Sequence, residues 1–224
     1  MANVPSTHTS ALPHLASRIW WWTAGIATPA AGVAGLGVAI RDGAVSGQDT
    51  GSLMWLHAHT APLLDSLSRT LNILGGPWVT YPVLILLPAL LWLTGRRRPA
   101  LFTAAAFWTA TALQWGLKLL YGRPRPHLWP TDIHVSGWSF PSGHATAASA
   151  LAMILVLLAW RTPHRRPALI AGLLYAAVMA GSRVVLGVHY PTDVLAGMLV
   201  GVLSVSIVTL LYPPIGRPHA RSDR

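Results

Sequence analysis

Three stretches of this sequence place cations, histidines and a carboxylate inside or at the ends of apolar runs: Lys118 with Arg125-Pro126, then Pro141-Ser142-Gly143-His144, then Ser182-Arg183 followed by His189 and Asp193. An arginine within an apolar run is costly unless it faces a partner or a wet cavity, or snorkels to the headgroups. Lys118, Arg125 and Arg183 together can balance a multiply charged anion, the arginines through two-point contacts and the lysine as a point charge. Ser142-Gly143-His144 reads as a helix N-terminus with Ser142 as N-cap, where Gly143 lets the backbone come close and free N–H groups meet an anion. On its own, Pro-Ser-Gly reads equally well as a turn. His189 and Asp193 flank Pro191, and a turn folded back there brings the carboxylate to one ring nitrogen and leaves the other free as a nucleophile. An N-cap role for Asp193 is compatible with that chemistry.

In order and spacing these residues resemble the signature of the type-2 phosphatidic acid phosphatase superfamily: a lysine followed by Arg-Pro, then Pro-Ser-Gly-His, then Ser-Arg, His and Asp. All its positions are filled, by Lys118, Arg125, Pro126, Pro141, Ser142, Gly143, His144, Ser182, Arg183, His189 and Asp193. The resemblance implies that His189 attacks phosphorus to form a phosphohistidine with Asp193 as its orienter. It implies that His144 protonates the leaving group and then assists water. Lys118, Arg125, Ser142, Gly143 and Arg183 would hold the phosphoryl oxygens, Ser182 would support them, and Pro126 and Pro141 would be architectural. The family needs no metal or other cofactor.

The elements that must position these residues are read from composition and periodicity. Of 224 residues, 53% are hydrophobic and 10% charged, which points to a membrane protein. The 15 arginines, one lysine (Lys118), six aspartates and no glutamate make a carboxylate cage for Mg²⁺ or Ca²⁺ hard to build. The net charge of +10 comes as short clusters at the ends of apolar runs, a pattern of membrane topology and not of a nucleic-acid groove. With no cysteine, disulfide, thiolate and thiolate–metal chemistry are excluded.

The expected fold is an all-α bundle of six transmembrane helices, at about 19–40, 78–94, 100–121, 141–160, 168–188 and 193–212. Trp20-Trp21-Trp22 form an aromatic belt at the first. Residues 1–17 read as a flexible tail, 18–213 as one domain and 214–224 as a basic tail. Leu63, Leu64, Leu67 and Leu71 share one helical face, so residues 53–74 read as an amphipathic surface helix, structural or gating the site. Arg123 reads as a headgroup contact outside the core site, and Gln114 as an orienter of Lys118. His57 and His59 read as surface residues. His127 and His134 read as solvated loop residues with a headgroup contact as the alternative, and His8, His14, His164 and His219 match nothing.

Arginine clusters at Arg18, Arg96–Arg98, Arg161, Arg165 and Arg166, and Arg217, Arg221 and Arg224 put both termini in the cytoplasm and the signature outside. The expected activity is hydrolysis of a lipid phosphomonoester or diphosphate: phosphatidic acid, phosphatidylglycerol phosphate or a polyprenyl diphosphate. The expected partners are the lipid substrate and membrane lipids, and no nucleic acid. An anion or lipid transporter, or an inactive member of the family, is the alternative.

Overall fold

Where water is absent a backbone must satisfy its own hydrogen bonds, and this chain does so by helix. The computed structural model describes residues 22–133 and 135–214, among which there are eight helices and no strand. They are α1 (Thr23–Arg41), α2 (Ser46–His59), α3 (Pro62–Leu74), α4 (Pro77–Leu93), α5 (Arg97–Tyr121), α6 (Gly143–Ala159), α7 (Arg165–Val185) and α8 (Pro191–Leu211). The first turn of α1, Thr23–Ala27, is π-helical. The N-terminal tail, Arg18, Trp20, Trp21, His134 and the basic cluster Arg217, Arg221 and Arg224 lie outside the described residues.

Local chemistry sets the boundaries that matter for the site. α5 stops at Gly122, which turns left-handed at φ 53° and donates its N–H to the Lys118 carbonyl. Pro124 and Pro126 then keep the chain extended. α8 starts with Pro191 at its first position, where a missing N–H costs nothing. Asp193 is therefore the third helical residue and not the N-cap; its Oδ2 reaches back to accept the Tyr190 N–H at 2.9 Å.

The single amphipathic helix expected over 53–74 is two helices. Thr60 and Ala61 are extended and Pro62 begins a new helix, so the polar positions of the segment are shared between α2 and α3. Asp49 and Leu53 of α2 are buried, and α3 packs on α7. By length and apolarity α1, α7 and α8 are each able to cross a membrane, and α3 with α4, bent by 49°, makes a fourth candidate span. α6 is apolar but 17 residues long, and the 25-residue α5 carries Arg97, Arg98 and Lys118.

α6 packs against α7 and α8, and α5 closes the bundle against α8. The largest buried cluster joins Phe102, Ala106, Phe107 and Ala110 of α5, Ala150, Ile154 and Leu157 of α6, and Val205 and Val208 of α8. Small residues let the backbones approach, the usual solution where lipid provides no hydrophobic drive between helices. On α8, a Cβ at Gly197 would stand 2.5 Å from the Ser142 carbonyl oxygen, and one at Gly201 would stand 2.7 Å from that of Thr146. These two glycines seat α8 on the first turns of α6. Gly197→Val should cost about 2–3 kcal/mol through overpacking against backbone, read as reduced unfolding stability in micelles. Gly181→Ala, which meets nothing within 4 Å, should stay within about 1 kcal/mol of the parent.

Candidate active site

Helix polarity brings the three stretches together. Lys118 is in the last turn of α5, Gly143 opens α6, Arg183 is near the end of α7 and Asp193 is in the first turn of α8. Consecutive helices run in opposite directions, so all four termini gather at one end of the bundle. The backbone ties them directly, with the Ser142 N–H donating to the Asp193 carbonyl at 2.9 Å.

All three cations of the signature are held by neutral acceptors. Lys118 donates to the Trp138 carbonyl. Arg125 donates from Nε to the Gly137 carbonyl at 3.0 Å, from Nη2 to that of Ser136 at 3.1 Å and from Nη1 to that of Val188 at 2.9 Å. Arg183, fully buried, donates to Asn72 Oδ1 at 2.7 Å, to the Ser68 carbonyl at 3.4 Å and to Ser182 Oγ from both Nε (3.2 Å) and Nη2 (3.0 Å). Ser182 Oγ in turn donates a hydrogen bond to the Met179 carbonyl at 2.7 Å. None of the three makes an ion pair among the described residues, yet Arg125 is close enough to repel both Lys118 and Arg183. Their positive charge is oriented without a carboxylate in direct contact, Asp193 acting on Lys118 and Arg125 only from a distance, which suits an arriving anion.

Arg123 is the contrast and corrects its reading as a headgroup contact. It is 8% exposed and bridges Asp49 Oδ2 and Asp193 Oδ1, each at 2.7 Å. Burial opposes its charge, but the two carboxylates prevail and hold its pKa above the ordinary value.

The hydrogen bonds around His189 fix its tautomer. Arg125 Nη1 lies 2.9 Å from His189 Nε2 and can only donate, so Nε2 carries the lone pair. The proton is on Nδ1, which donates to Ser139 Oγ at 3.3 Å, while Ser139 donates to Asp193 Oδ2 at 2.5 Å. Asp193 Oδ2 is 3.7 Å from Nδ1, so the carboxylate reaches the imidazole mainly through the Ser139 hydroxyl. Burial pushes the His189 pKa down to about 4, with Arg125 and Lys118 adding to the effect against the pull of Asp193.

His144 faces the site from the first turn of α6, with Nε2 3.3 Å from the Asn72 carbonyl oxygen. Ser142 occupies the N-cap position, but its hydroxyl caps nothing and is buried without a partner. Its N–H is taken by Asp193, which leaves the following N–H groups to an anion. Gln114 stands against Gly143, where a Cβ would be 3.4 Å from its side-chain nitrogen, and Lys118 is anchored by Trp138 instead. An apolar cleft of about 170 Å³ starts at Gly143 and His144 and runs between α4, α5 and α6 past Thr80, Leu84 and Phe107, with half-exposed Tyr81 and Trp115 at its rim.

Sequence reading missed Asp49, Ser139, Asn72 and the carbonyls of Ser68 and Trp138. Ser139 had a signal, two residues ahead of Pro141. Asp49 had a weaker one as one of only six acidic residues. His57 stacks on Trp129 with ring centres 4.0 Å apart and His59 on Trp55 at 4.6 Å, and His127 is exposed. No group of histidine, aspartate and cysteine suited to a metal occurs among the described residues.

The description of the PAP2 superfamily matches residues 99–217, more than half of the chain. The chain belongs to the PAP2 superfamily. It is 33% identical over 163 residues to the decaprenylphosphoryl-5-phosphoribose phosphatase of Mycobacterium tuberculosis, covering 71% of this chain and 86% of that one. It is 29% identical over 152 residues to phosphatidylglycerophosphatase B of Bacillus subtilis, covering 66% and 74%. A crystal structure of a transmembrane PAP2-type phosphatidylglycerolphosphate phosphatase from Bacillus subtilis superposes with a TM-score of 0.73 at 28% identity, covering 83% of this chain and 94% of that one. This PAP2 protein is a membrane phosphatase, a phosphoric monoester hydrolase.

The hydrogen-bond pattern predicts that nitrogen-15 spectra of histidine-labelled protein in micelles show His189 as the neutral Nδ1–H tautomer down to about pH 5. A titration near the ordinary histidine value of about 6.5 would contradict the buried, arginine-capped ring.

Proposed function

We propose that this PAP2 phosphatase hydrolyses the phosphomonoester or diphosphate of a membrane lipid through a phosphohistidine intermediate, without a metal. The observation that carries the reading is the set of three cations, Lys118, Arg125 and Arg183, oriented by neutral acceptors beside two histidines and a helix N-terminus. A phosphoryl group needs its oxygens balanced, a nucleophile in line and a proton for the leaving oxygen. The three cations, the N–H groups of Gly143 and His144 and the Ser142 hydroxyl supply the first.

His189 Nε2 supplies the second. An incoming phosphate draws the Arg125 guanidinium from Nε2 onto its own oxygens, and the freed lone pair attacks phosphorus. The bond from phosphorus to the leaving oxygen breaks with its electron pair on oxygen, and His144 gives that oxygen a proton. The Nδ1–H of His189 stays on Ser139, and Asp193 stabilises the positive ring through that hydroxyl. Water then attacks phosphorus as His144 takes its proton, and the N–P bond breaks to release phosphate and neutral His189.

In-line displacement sets the leaving group opposite His189, on the side of His144, where the apolar cleft begins. That favours a leaving group with a hydrocarbon chain. The relatives named for phosphatidylglycerophosphate and for a decaprenyl-linked phosphate fall in the same class. We read the bundle as six spans forming one domain over 18–213, with α5 crossing in spite of its polar residues, α6 in spite of its short length, and both termini in the cytoplasm. The loop arginines Arg96–Arg98, Arg161, Arg165 and Arg166, at the end of the bundle away from the signature, support a site at the outer face.

Phosphate release in detergent with EDTA, over phosphatidic acid, phosphatidylglycerol phosphate and a polyprenyl diphosphate, tests the reading. Turnover should survive EDTA, fall to background in His189→Ala and drop by about 10²–10⁴-fold in His144→Ala. Full activity in His189→Ala would remove the nucleophile assignment, and loss of turnover in EDTA would remove the metal-free one.

A further inference from the structure

Asp49 lies outside the signature and outside the matched residues 99–217, yet it is only 2% exposed. A buried carboxylate stays ionised only with a full set of partners. Its Oδ2 accepts from Arg123 Nη2 at 2.7 Å and from the Thr192 hydroxyl at 2.5 Å, and its Oδ1 accepts the Thr192 N–H at 3.2 Å. Arg123 turns its other terminal nitrogen to Thr192 Oγ at 2.8 Å and to Asp193 Oδ1 at 2.7 Å, with its guanidinium carbon 4.0 Å from the centre of the Tyr190 ring. This unit joins α2, the segment after α5 and the first turn of α8.

Granted the reading of His189 as nucleophile and Asp193 as its orienter, on which this rests, we infer that Asp49 is a positioning residue for the reaction. It takes up the charge of Arg123 so that Asp193 keeps its own for His189. Arg123 fixes the direction of the Asp193 carboxylate. Alone it would also neutralise that carboxylate, and little negative charge would remain to stabilise the positive ring formed on phosphorylation. With Asp49 present, two carboxylates share one guanidinium and the unit carries one net negative charge. In a buried site that difference is weakly screened. A simple tie between helices would need only one carboxylate per guanidinium.

A charge cycle tests this with the full chain in detergent and dioctanoyl phosphatidic acid as the probe. D49N leaves Asp193 in a neutral pair and should lower kcat about tenfold or more, with KM within about twofold. R123Q leaves two carboxylates unbalanced and should also lower kcat. D49N/R123Q returns the unit to one net negative charge and should be several-fold more active than D49N, a non-additive result. Losses that multiply, or a D49N enzyme with unchanged kcat, overturn the assignment. If D49N fails to fold, R123Q against the double variant decides the same point, since removing Asp49 must then raise activity and a further loss overturns the inference. His189→Ala separates the two levels. An active His189→Ala enzyme removes the underlying mechanism, whereas an inactive one with a multiplicative cycle removes only the role of Asp49.

Discussion

Three cations stand in a low-dielectric bundle without a carboxylate to neutralise them, and the rest of the structure answers that constraint. A buried charge with no partner is costly, and each hydrogen bond to a charged group recovers about 1.5–3 kcal/mol. The protein recovers it from neutral acceptors: loop carbonyls for Lys118 and Arg125, and an amide, a carbonyl and a hydroxyl for Arg183. The connection between α5 and α6 therefore has a definite task, since residues 136–138 present carbonyl oxygens to two of the three cations. α3 has the corresponding task for Arg183, through Asn72 and Ser68. The two buried carboxylates, Asp49 and Asp193, are placed instead against Arg123 and beside His189.

The antiparallel run of helices makes this arrangement simple to build. Alternate ends of α5, α6, α7 and α8 fall on one side, so each helix contributes from a terminus, where backbone groups are free and side chains escape the packed interior. Gly197 and Gly201 draw α8 onto α6 closely enough for the Ser142 N–H to reach the Asp193 carbonyl. The first turn of α6 is thus linked to that of α8 through backbone and not through long side chains.

The sequence carried the signature residues, the helical class and the end of the bundle where they meet, because a charge inside an apolar run is too costly to stand there without a task. It did not carry the supports. Asn72, Ser68 and the Trp138 carbonyl act through contacts between segments far apart in the chain, and nothing in their local pattern marks them. Arg123 was visible but misread, since its partner Asp49 is 74 residues away and only folding brings them together. The break at Pro62 was missed because the leucines that define the amphipathic face, Leu63, Leu64, Leu67 and Leu71, all follow it and carry no information about residues 53–59. The number of spans was blurred because α6 is apolar but only 17 residues long, and the 25-residue α5 mixes Arg97, Arg98, Lys118, threonines and Gln114 among its apolar residues.

The bond from Arg125 to His189 bears on how a cycle ends. Inorganic phosphate leaving such a site must part from three cations, and tight product retention would stall the enzyme. In the proposed mechanism Arg125 has a second acceptor waiting in the imidazole lone pair, which is restored when the N–P bond breaks. As the guanidinium returns to Nε2 it withdraws one of the product's contacts, so the nucleophile competes with the product for the same donor. On that mechanism, regeneration of the catalyst and discharge of phosphate would be one event, and the energy spent displacing Arg125 at the outset would return as faster clearance at the finish.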